Sequence, residues 1–331
     1  MAVLDQLSAA GDLVLFVLAA AALLPLAWVI GEATDQAAHH TGPGIGGLLN
    51  ASFGNAPELI IALVAVSEGL TEVVRASLAG SIIGNLLLVL GFTLLVARPG
   101  TLDRASAFTS LGTVAVAVLL LIIPVVAASG GNPDRHSLAL LSVPVAVALL
   151  AVRILVNTRS LRRHRRVRAT AEPVQIAGWS LRFAVSVLAG TTLITAFVSE
   201  ALVGSIDVFA SRAHLSEFFV AAVIVAIAGN ATEHGSAVLL AARGQLRLAA
   251  EIALASSAQV AGFLIPVVAL LSWAIEPLSL SFRPVELAGI GVATAAATLA
   301  IGPGKSSRAR GALLVVTYVV VAVCFYLAGD R

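Results

Sequence analysis

Long apolar runs alternate with short polar breaks along almost the whole chain. A helix that crosses a bilayer needs about 20 mostly apolar residues. Ten runs meet that need: 12–30, 44–67, 75–97, 106–128, 137–157, 180–200, 215–240, 249–273, 285–301 and 311–328. Most are separated by Gly, Pro or charge, as at Arg98-Pro99-Gly100, Gly130-Gly131-Asn132-Pro133 and Gly302-Pro303-Gly304-Lys305. The runs 44–67 and 215–240 carry glycines and polar residues near their middles, which makes them the least regular of the ten. The first run is long, and Asp5 and Asp12 precede it in place of a basic leader. It reads as a retained helix and not as a cleaved signal peptide.

Composition strengthens this picture. Of 331 residues, 59% are hydrophobic and 11% charged, against roughly 25% charged in a soluble domain. One soluble core cannot hide that much apolar surface, so the expected fold class is an all-α integral membrane protein of about ten transmembrane helices. The formal charge is only +2 and aromatics make up 5% of residues. The basic residues fall in short clusters between apolar runs, which excludes a stacking surface for nucleic acid. The single cysteine, Cys324, lies within an apolar run and can form no intrachain disulfide.

Charge sets the expected topology. The stretch Arg159-Ser160-Leu161-Arg162-Arg163-His164-Arg165-Arg166-Val167-Arg168 joins spans five and six. It reads as a cytoplasmic loop by the positive-inside bias, with docking to anionic lipid headgroups as the sharper alternative. The alternation of spans then puts Arg98 and Arg104, Arg243 and Arg247, and Lys305, Arg308 and Arg310 on that same side. The opposite side has Arg75, Arg135, Arg212, Arg283 and Arg331 interspersed with acids such as Glu68, Glu72, Asp207 and Glu276. Both termini are expected outside the cytoplasm, in a bacterial-type plasma (inner) membrane.

The chain also repeats itself. Gly54-Asn55-Ala56-Pro57-Glu58 returns as Gly229-Asn230-Ala231-Thr232-Glu233, 175 residues on. Ser81 and Ser256 match at the same offset, with Asn85 and Gln259 following. Two five-helix units are expected, 1–157 and 179–331, joined by the basic loop 158–178. Five is odd, so the second unit enters the membrane in the opposite sense, as in the inverted repeats of many secondary transporters.

Chemistry concentrates on the repeated motif. A carboxylate at membrane depth costs about 2.5 kcal/mol or more, so such residues face a partner, a cavity or an ion. Glu58 and Glu233 are the carboxylates nearest mid-span, and inverted symmetry makes them mates about one centre. Glycine before the motif loosens the helix and Pro57 removes a backbone donor. Carbonyls freed by such a break can line a cavity. Asn55 and Asn230 lie three residues before the glutamates and share a face with them. Ser81, Asn85, Ser256, Ser257 and Gln259 add neutral oxygens, with ordinary interhelical hydrogen bonding as the plainer role.

An all-oxygen set with two carboxylates suits a hard divalent cation, Ca²⁺ above all. Without the ion, the two carboxylates repel each other, so protons compete with the metal for the same oxygens. That competition is a physical basis for cation/proton antiport. His234 directly follows Glu233 and can titrate near neutrality; it reads either as a partner in proton handling or as a hydrogen-bonded structural histidine. His39, His40, Glu32, Asp35 and Glu251 lie at span ends and read as exposed polar residues, with Glu32 and Asp35 as an alternative entry route.

These residues also resemble a known family. Gly46-Gly47-Leu48-Leu49-Asn50-Ala51-Ser52-Phe53-Gly54-Asn55-Ala56-Pro57-Glu58-Leu59-Ile60 is similar to the first signature of the calcium/proton exchangers, the CAX family of the cation/Ca²⁺ exchanger superfamily. Ser77-Leu78-Ala79-Gly80-Ser81-Ile82-Ile83-Gly84-Asn85-Leu86-Leu87-Leu88-Val89-Leu90-Gly91 continues the likeness. Gly229-Asn230-Ala231-Thr232-Glu233-His234 and Ala255-Ser256-Ser257-Ala258-Gln259 resemble the second signature. The resemblance implies that Glu58 and Glu233 carry cation and proton in turn, that spans 2, 3, 7 and 8 form the transport core, and that spans 1 and 6 slide against it. Two departures stand out: Ala255 replaces a frequent glycine, and the mid-chain loop is basic where many relatives are acidic.

The expected function is therefore a secondary active antiporter exchanging Ca²⁺ for H⁺ by alternating access. Mn²⁺, Na⁺ and K⁺ are the competing cargoes. A sodium-coupled calcium exchanger or a Na⁺(K⁺)/H⁺ antiporter is the nearest alternative, although that sodium-coupled branch usually has Thr-Ser around its glutamates. A cation channel with paired carboxylates as its filter is the alternative of a different class, which the inverted repeat disfavours. No His-Glu-x-x-His pattern occurs and no enzyme activity or cofactor is expected. The expected partners are the two transported ions and the lipid bilayer, with no nucleic acid; oligomeric state is left open.

Overall fold

The protein is described here by a computed structural model, which covers residues 2–130, 135–168 and 178–329. The expected break at Gly131-Asn132-Pro133 and loop residues 169–177 lie outside the described residues. All regular structure among the described residues is helical: α1 (Ala2–Phe53), α2 (Ala56–Ser67), α3 (Thr71–Val96), α4 (Arg104–Ser129), α5 (Arg135–Arg168), α6 (Leu181–Gly204), α7 (Ile206–Ala213), α8 (Glu217–Gly229), α9 (Ala231–Ala242), α10 (Leu246–Ala274), α11 (Pro284–Ile301) and α12 (Arg308–Ala328).

Among the described residues, eight helices are long and apolar enough to cross a membrane, and nine if α7 and α8, bent by 110° at their junction, are one span. The expected count of about ten differs because the two runs with polar middles are not simple helices. The run 44–67 divides into the tail of α1 and the twelve-residue α2. A Cβ built on Gly46 would come within 2.9 Å of the Ala38 carbonyl, eight residues back, so the chain folds sharply between them. The run 215–240 divides into α8 and α9 at Asn230. A third expectation changes too: residues 159–168, read as loop, continue α5 to Arg168. Arg and Leu are good helix formers and no Gly or Pro interrupts the stretch.

Helix ends recur at the sequence offset. Moved on by 175 residues, α2 (Ala56–Ser67) becomes α9 (Ala231–Ala242), and the segment Leu90–Val96 of α3 becomes Ile265–Leu271 of α10. Between the matched parts, both α3 and α10 widen into π-helical turns, at Gly84–Val89 and Val260–Leu264. Such turns cluster at functional sites.

The α3 and α10 helices are the most buried spans; α1, α6 and α12 turn most of their surface outward. Leu193 and Phe197 of α6, Leu299 of α11 and Leu327 of α12 are more than half exposed, as a bilayer-facing surface requires. Small residues set the closest approaches. A Cβ on Gly80 of α3 would lie 1.9 Å from the Ala222 carbonyl of α8, and one on Gly311 of α12 would lie 2.7 Å from the Gly91 carbonyl of α3. Glycine lets the backbones touch there.

The connections gather in groups at the helix ends. Leu102 N–H donates to the Gly304 carbonyl at 2.9 Å, Ser306 N–H to Gly100 at 2.9 Å, and Arg247 pairs with Asp103 at 2.9 Å. These bonds join the segments after α3 and α11 and the start of α10. The α1 and α6 helices pack along each other. His40 Nε2 meets the Trp179 carbonyl at 2.7 Å, and Trp179 N–H donates to Gln36 Oε1 at 3.1 Å. At the other end, Arg283 pairs with Glu72 at 2.6 Å and donates to the Gly329 carbonyl at 2.6 Å.

Candidate functional site

Both repeated motifs sit at helix breaks. Asn55 and Asn230 occupy the non-helical position before α2 and α9, with φ/ψ of −118°/32° and −97°/6°. Pro57 falls where a helix tolerates it, in a first turn whose amides lack intrahelical acceptors. Glu58 and Glu233 each lie in the first turn of their short helix. The two breaks thus present two carboxylates and two amides to the interior from separate parts of the chain.

Glu58 is 8% exposed and Glu233 is half-buried. The two feel each other's charge. Glu58 lies against Gly229 of the opposite motif: a Cβ at 229 would come 3.2 Å from Glu58 Cγ. The motif glycine therefore does more than loosen a helix. It makes the space in which the other motif's carboxylate rests.

Neutral groups join the two motifs into one network. Asn230 Nδ2 donates to Ser81 Oγ at 2.8 Å and to the Ala226 carbonyl at 2.9 Å. Asn85 Nδ2 donates to Asn230 Oδ1 at 3.3 Å and to Ser256 Oγ at 3.0 Å. Ser256 in turn lies near the Glu233 carboxylate. Asn55, Ser81, Asn85, Asn230 and Ser256 are all buried. Several polar atoms in this centre have no protein partner: both amide atoms of Asn55, Oδ1 of Asn85 and Oε2 of Glu233. Unfilled buried oxygens of this kind are costly unless something else binds them.

Two expected site residues, Ser257 and His234, stand apart from this network. The Ser257 hydroxyl donates back to the Ala253 carbonyl at 2.9 Å, a bond within its own helix. Gln259 is half-buried and ends the regular part of α10 before the wide turn. The His234 ring lines an apolar crevice of about 500 Å³ with Leu88, Val89 and Phe92, and its Nε2 has no partner. Adjacent residues on a helix project 100° apart, so Glu233 and His234 face different surroundings.

Among the described residues, no group of three or more His, Cys, Asp or Glu side chains could hold a metal ion. The centre offers instead two carboxylates and neutral amide and hydroxyl oxygens, a set that suits a hard cation and leaves places for water. The end-of-span acids have local partners: Glu32 accepts from Gln36 at 2.7 Å and Glu251 from Ser106 at 3.3 Å. Sequence reasoning did not single out Ser77, which with Glu58 and Ser81 lines a cavity of about 10 Å³. Its place one turn before Ser81 was the available signal.

Comparison with known proteins adds an independent line. The family described as sodium/calcium exchanger protein matches residues 12–161 and 183–327. The Ca(2+)/H(+) antiporter of Synechocystis sp. is 35% identical over 340 residues, covering 96% of this chain and 91% of the relative. The Ca(2+)/H(+) antiporter ChaA of Bacillus subtilis is 35% identical, covering 95% and 92%. The solved structure of native YfkE superposes with a TM-score of 0.81 at 32% identity, covering 98% and 96% of the two chains. The H⁺/Ca²⁺ exchanger CAX superposes with a TM-score of 0.70 at 15% identity, a likeness of fold.

Proposed function

Because the chain belongs to the sodium/calcium exchanger protein family, we propose that it is a secondary active antiporter that exchanges Ca²⁺ for H⁺. Relatives named Ca(2+)/H(+) antiporter that align along nearly the whole chain support the pair of ions. The observation that carries the mechanism is the convergence of Glu58 and Glu233 from two helix breaks onto one centre with orphaned amide oxygens around it.

The chemistry follows from charge. Two carboxylates neutralise one divalent ion, and the amide and hydroxyl oxygens of Asn55, Asn230, Ser81, Asn85 and Ser256 complete a flexible oxygen shell. When the ion leaves, a pair of close anions in a poorly hydrated site is unfavourable, and protons replace it on the same oxygens. Cation and protons therefore occupy the site in alternation, which obliges their exchange. The outer helices α1 and α6 pack together and move against the buried α3 and α10, opening the centre to one side at a time. Residues 1–157 and 179–331 act as the two inverted units, and the basic segment between them faces the cytoplasm of a plasma membrane. His234, beside the carrier Glu233 but facing the apolar crevice, adjusts proton handling and does not itself hold the cation.

Reconstitution into proteoliposomes tests this. An imposed proton gradient drives ⁴⁵Ca²⁺ uptake, a protonophore abolishes it, and Glu58→Gln and Glu233→Gln each remove it. Uptake that ignores the proton gradient and follows a sodium gradient would overturn proton coupling.

A further inference from the structure

A second cavity, of about 580 Å³, lies at the end of the bundle away from the basic extension of α5. It is lined by the start of α3 together with Glu217, Glu276, His136 and Ser279. Glu72, Glu217 and Glu276 outnumber the one lining guanidinium, Arg75, which donates to the Ser279 carbonyl at 3.3 Å. This is a wide, polar vestibule. The 10 Å³ cavity at Glu58, about the volume a single water needs, is lined farther along the same helix by Ser77, Leu78 and Ser81.

The two cavities share one face of α3. Val73 lines the vestibule, and Ser77 and Ser81 line the small cavity. Residues 73, 77 and 81 are spaced by four, one above the other on a helix. Val73 is 2% exposed and its neighbour Val74 is fully buried. One helical turn, about 6 Å along α3, therefore separates Val73 of the vestibule from Ser77 of the small cavity, and the buried Val73 and Val74 side chains are its apolar part. The Ser77 hydroxyl donates to the Val74 carbonyl at 3.0 Å, which leaves its oxygen lone pairs for the cavity. The positions 175 residues on are Leu248, Ile252 and Ser256. The polar stop is thus present in only one of the two matched helices.

We infer that ions pass between Glu58 and the vestibule along this face of α3, with Val73 as the apolar seal and Ser77 as the polar stop beneath it. An apolar constriction blocks ions by excluding water, so thinning it must raise access. The inference rests on the exchange function proposed above and names a route that this function does not specify.

Cysteine accessibility tests it. Cys324 is exposed and is first replaced by Ser. Ser77→Cys is then labelled in sealed vesicles of both orientations with a membrane-impermeant cationic methanethiosulfonate. Labelling is expected from the vestibule side only, slowed by Ca²⁺, and faster by about tenfold when Val73→Ala is added, equivalent to about 1.4 kcal/mol of barrier. A rate indifferent to residue 73, or labelling from the opposite side alone, overturns the inference. Labelling reads the route without transport: expected labelling in a protein that exchanges no Ca²⁺ for H⁺ overturns the proposed function and leaves the route standing. If Ser77→Cys does not insert, Ser77→Ala is assayed. Its KM for Ca²⁺ is expected to rise on the vestibule side alone, and an equal rise on both sides overturns the inference.

Discussion

The Asn85 amide donates to the Asn230 side-chain carbonyl at 3.3 Å, although the two residues lie 145 positions apart. This bond and its companion from Asn85 to Ser256 tie α3 to the α9 break and to α10 in one buried centre. The oxygens of that centre are held in place by amide nitrogens, atoms that donate and do not ligate a cation. Asn85 thus braces the site through its nitrogen, while its Oδ1 stays without a partner.

Removing that brace has a calculable direction. Asn85→Ala leaves Asn230 Oδ1 without its donor and Ser256 Oγ with one fewer, at a cost of about 1–3 kcal/mol for a buried unsatisfied group. The variant is expected to melt at lower temperature in detergent and to lose Ca²⁺ uptake. Unchanged melting and transport would remove Asn85 from the site's architecture.

Two glycines separate packing from function. Gly80→Ala forces a Cβ to within 1.9 Å of a backbone carbonyl of α8. Backbone cannot yield as a side chain does, so this variant is expected to lose more than the usual 1–3 kcal/mol of overpacking. Low yield of folded protein on size-exclusion chromatography is the readout. Gly229→Ala meets side chains alone, Glu58 at 3.2 Å and Ile61 at 3.8 Å. That variant is expected to fold and to show a raised KM for Ca²⁺ in the proteoliposome assay.

His234 gives a sharp comparison with its neighbour. Its ring faces Leu88, Val89 and Phe92 in the apolar crevice. His234→Gln is expected to retain Ca²⁺ uptake with a shifted pH profile, where Glu233→Gln abolishes uptake at every pH. Equal loss in the two variants would make His234 a carrier.

Asp103 supplies the clearest pH effect outside the membrane spans. Its carboxylate accepts from the Ser106 and Ala105 amides at the start of α4 and pairs with Arg247. These contacts, the Ser106 amide first, hold it below the ordinary aspartate value of 3.8. A lowered value in the folded state means a contribution fully present above pH 3.8 and lost as pH falls through the folded value. Melting of the wild type and of Asp103→Ala is expected to differ at neutral pH, with the gap narrowing as pH falls below 3.8.

The legible part of the site was its list of residues. Glu58, Glu233, Asn55, Asn230, Ser81, Asn85 and Ser256 stood out because polar groups are expensive in apolar runs, and all but Asn85 were already paired by the 175-residue offset. The role of each was not legible. Nothing local distinguishes Ser256, which accepts from Asn85, from Ser257, whose hydroxyl closes on its own helix.

The sequence by itself determined that this is a bundle of membrane helices with two matched polar motifs, because hydropathy, breaks and repeats are local properties. Only the tertiary structure decided that the run 44–67 is broken before Ala56, that α5 runs on to Arg168 and that Gly229 shelters Glu58. It also decided that His234 faces an apolar crevice. Those outcomes depend on which surfaces meet, and the meeting partners lie far apart in the chain. Steric contact and hydrogen bonding between distant segments leave no periodic trace along either one.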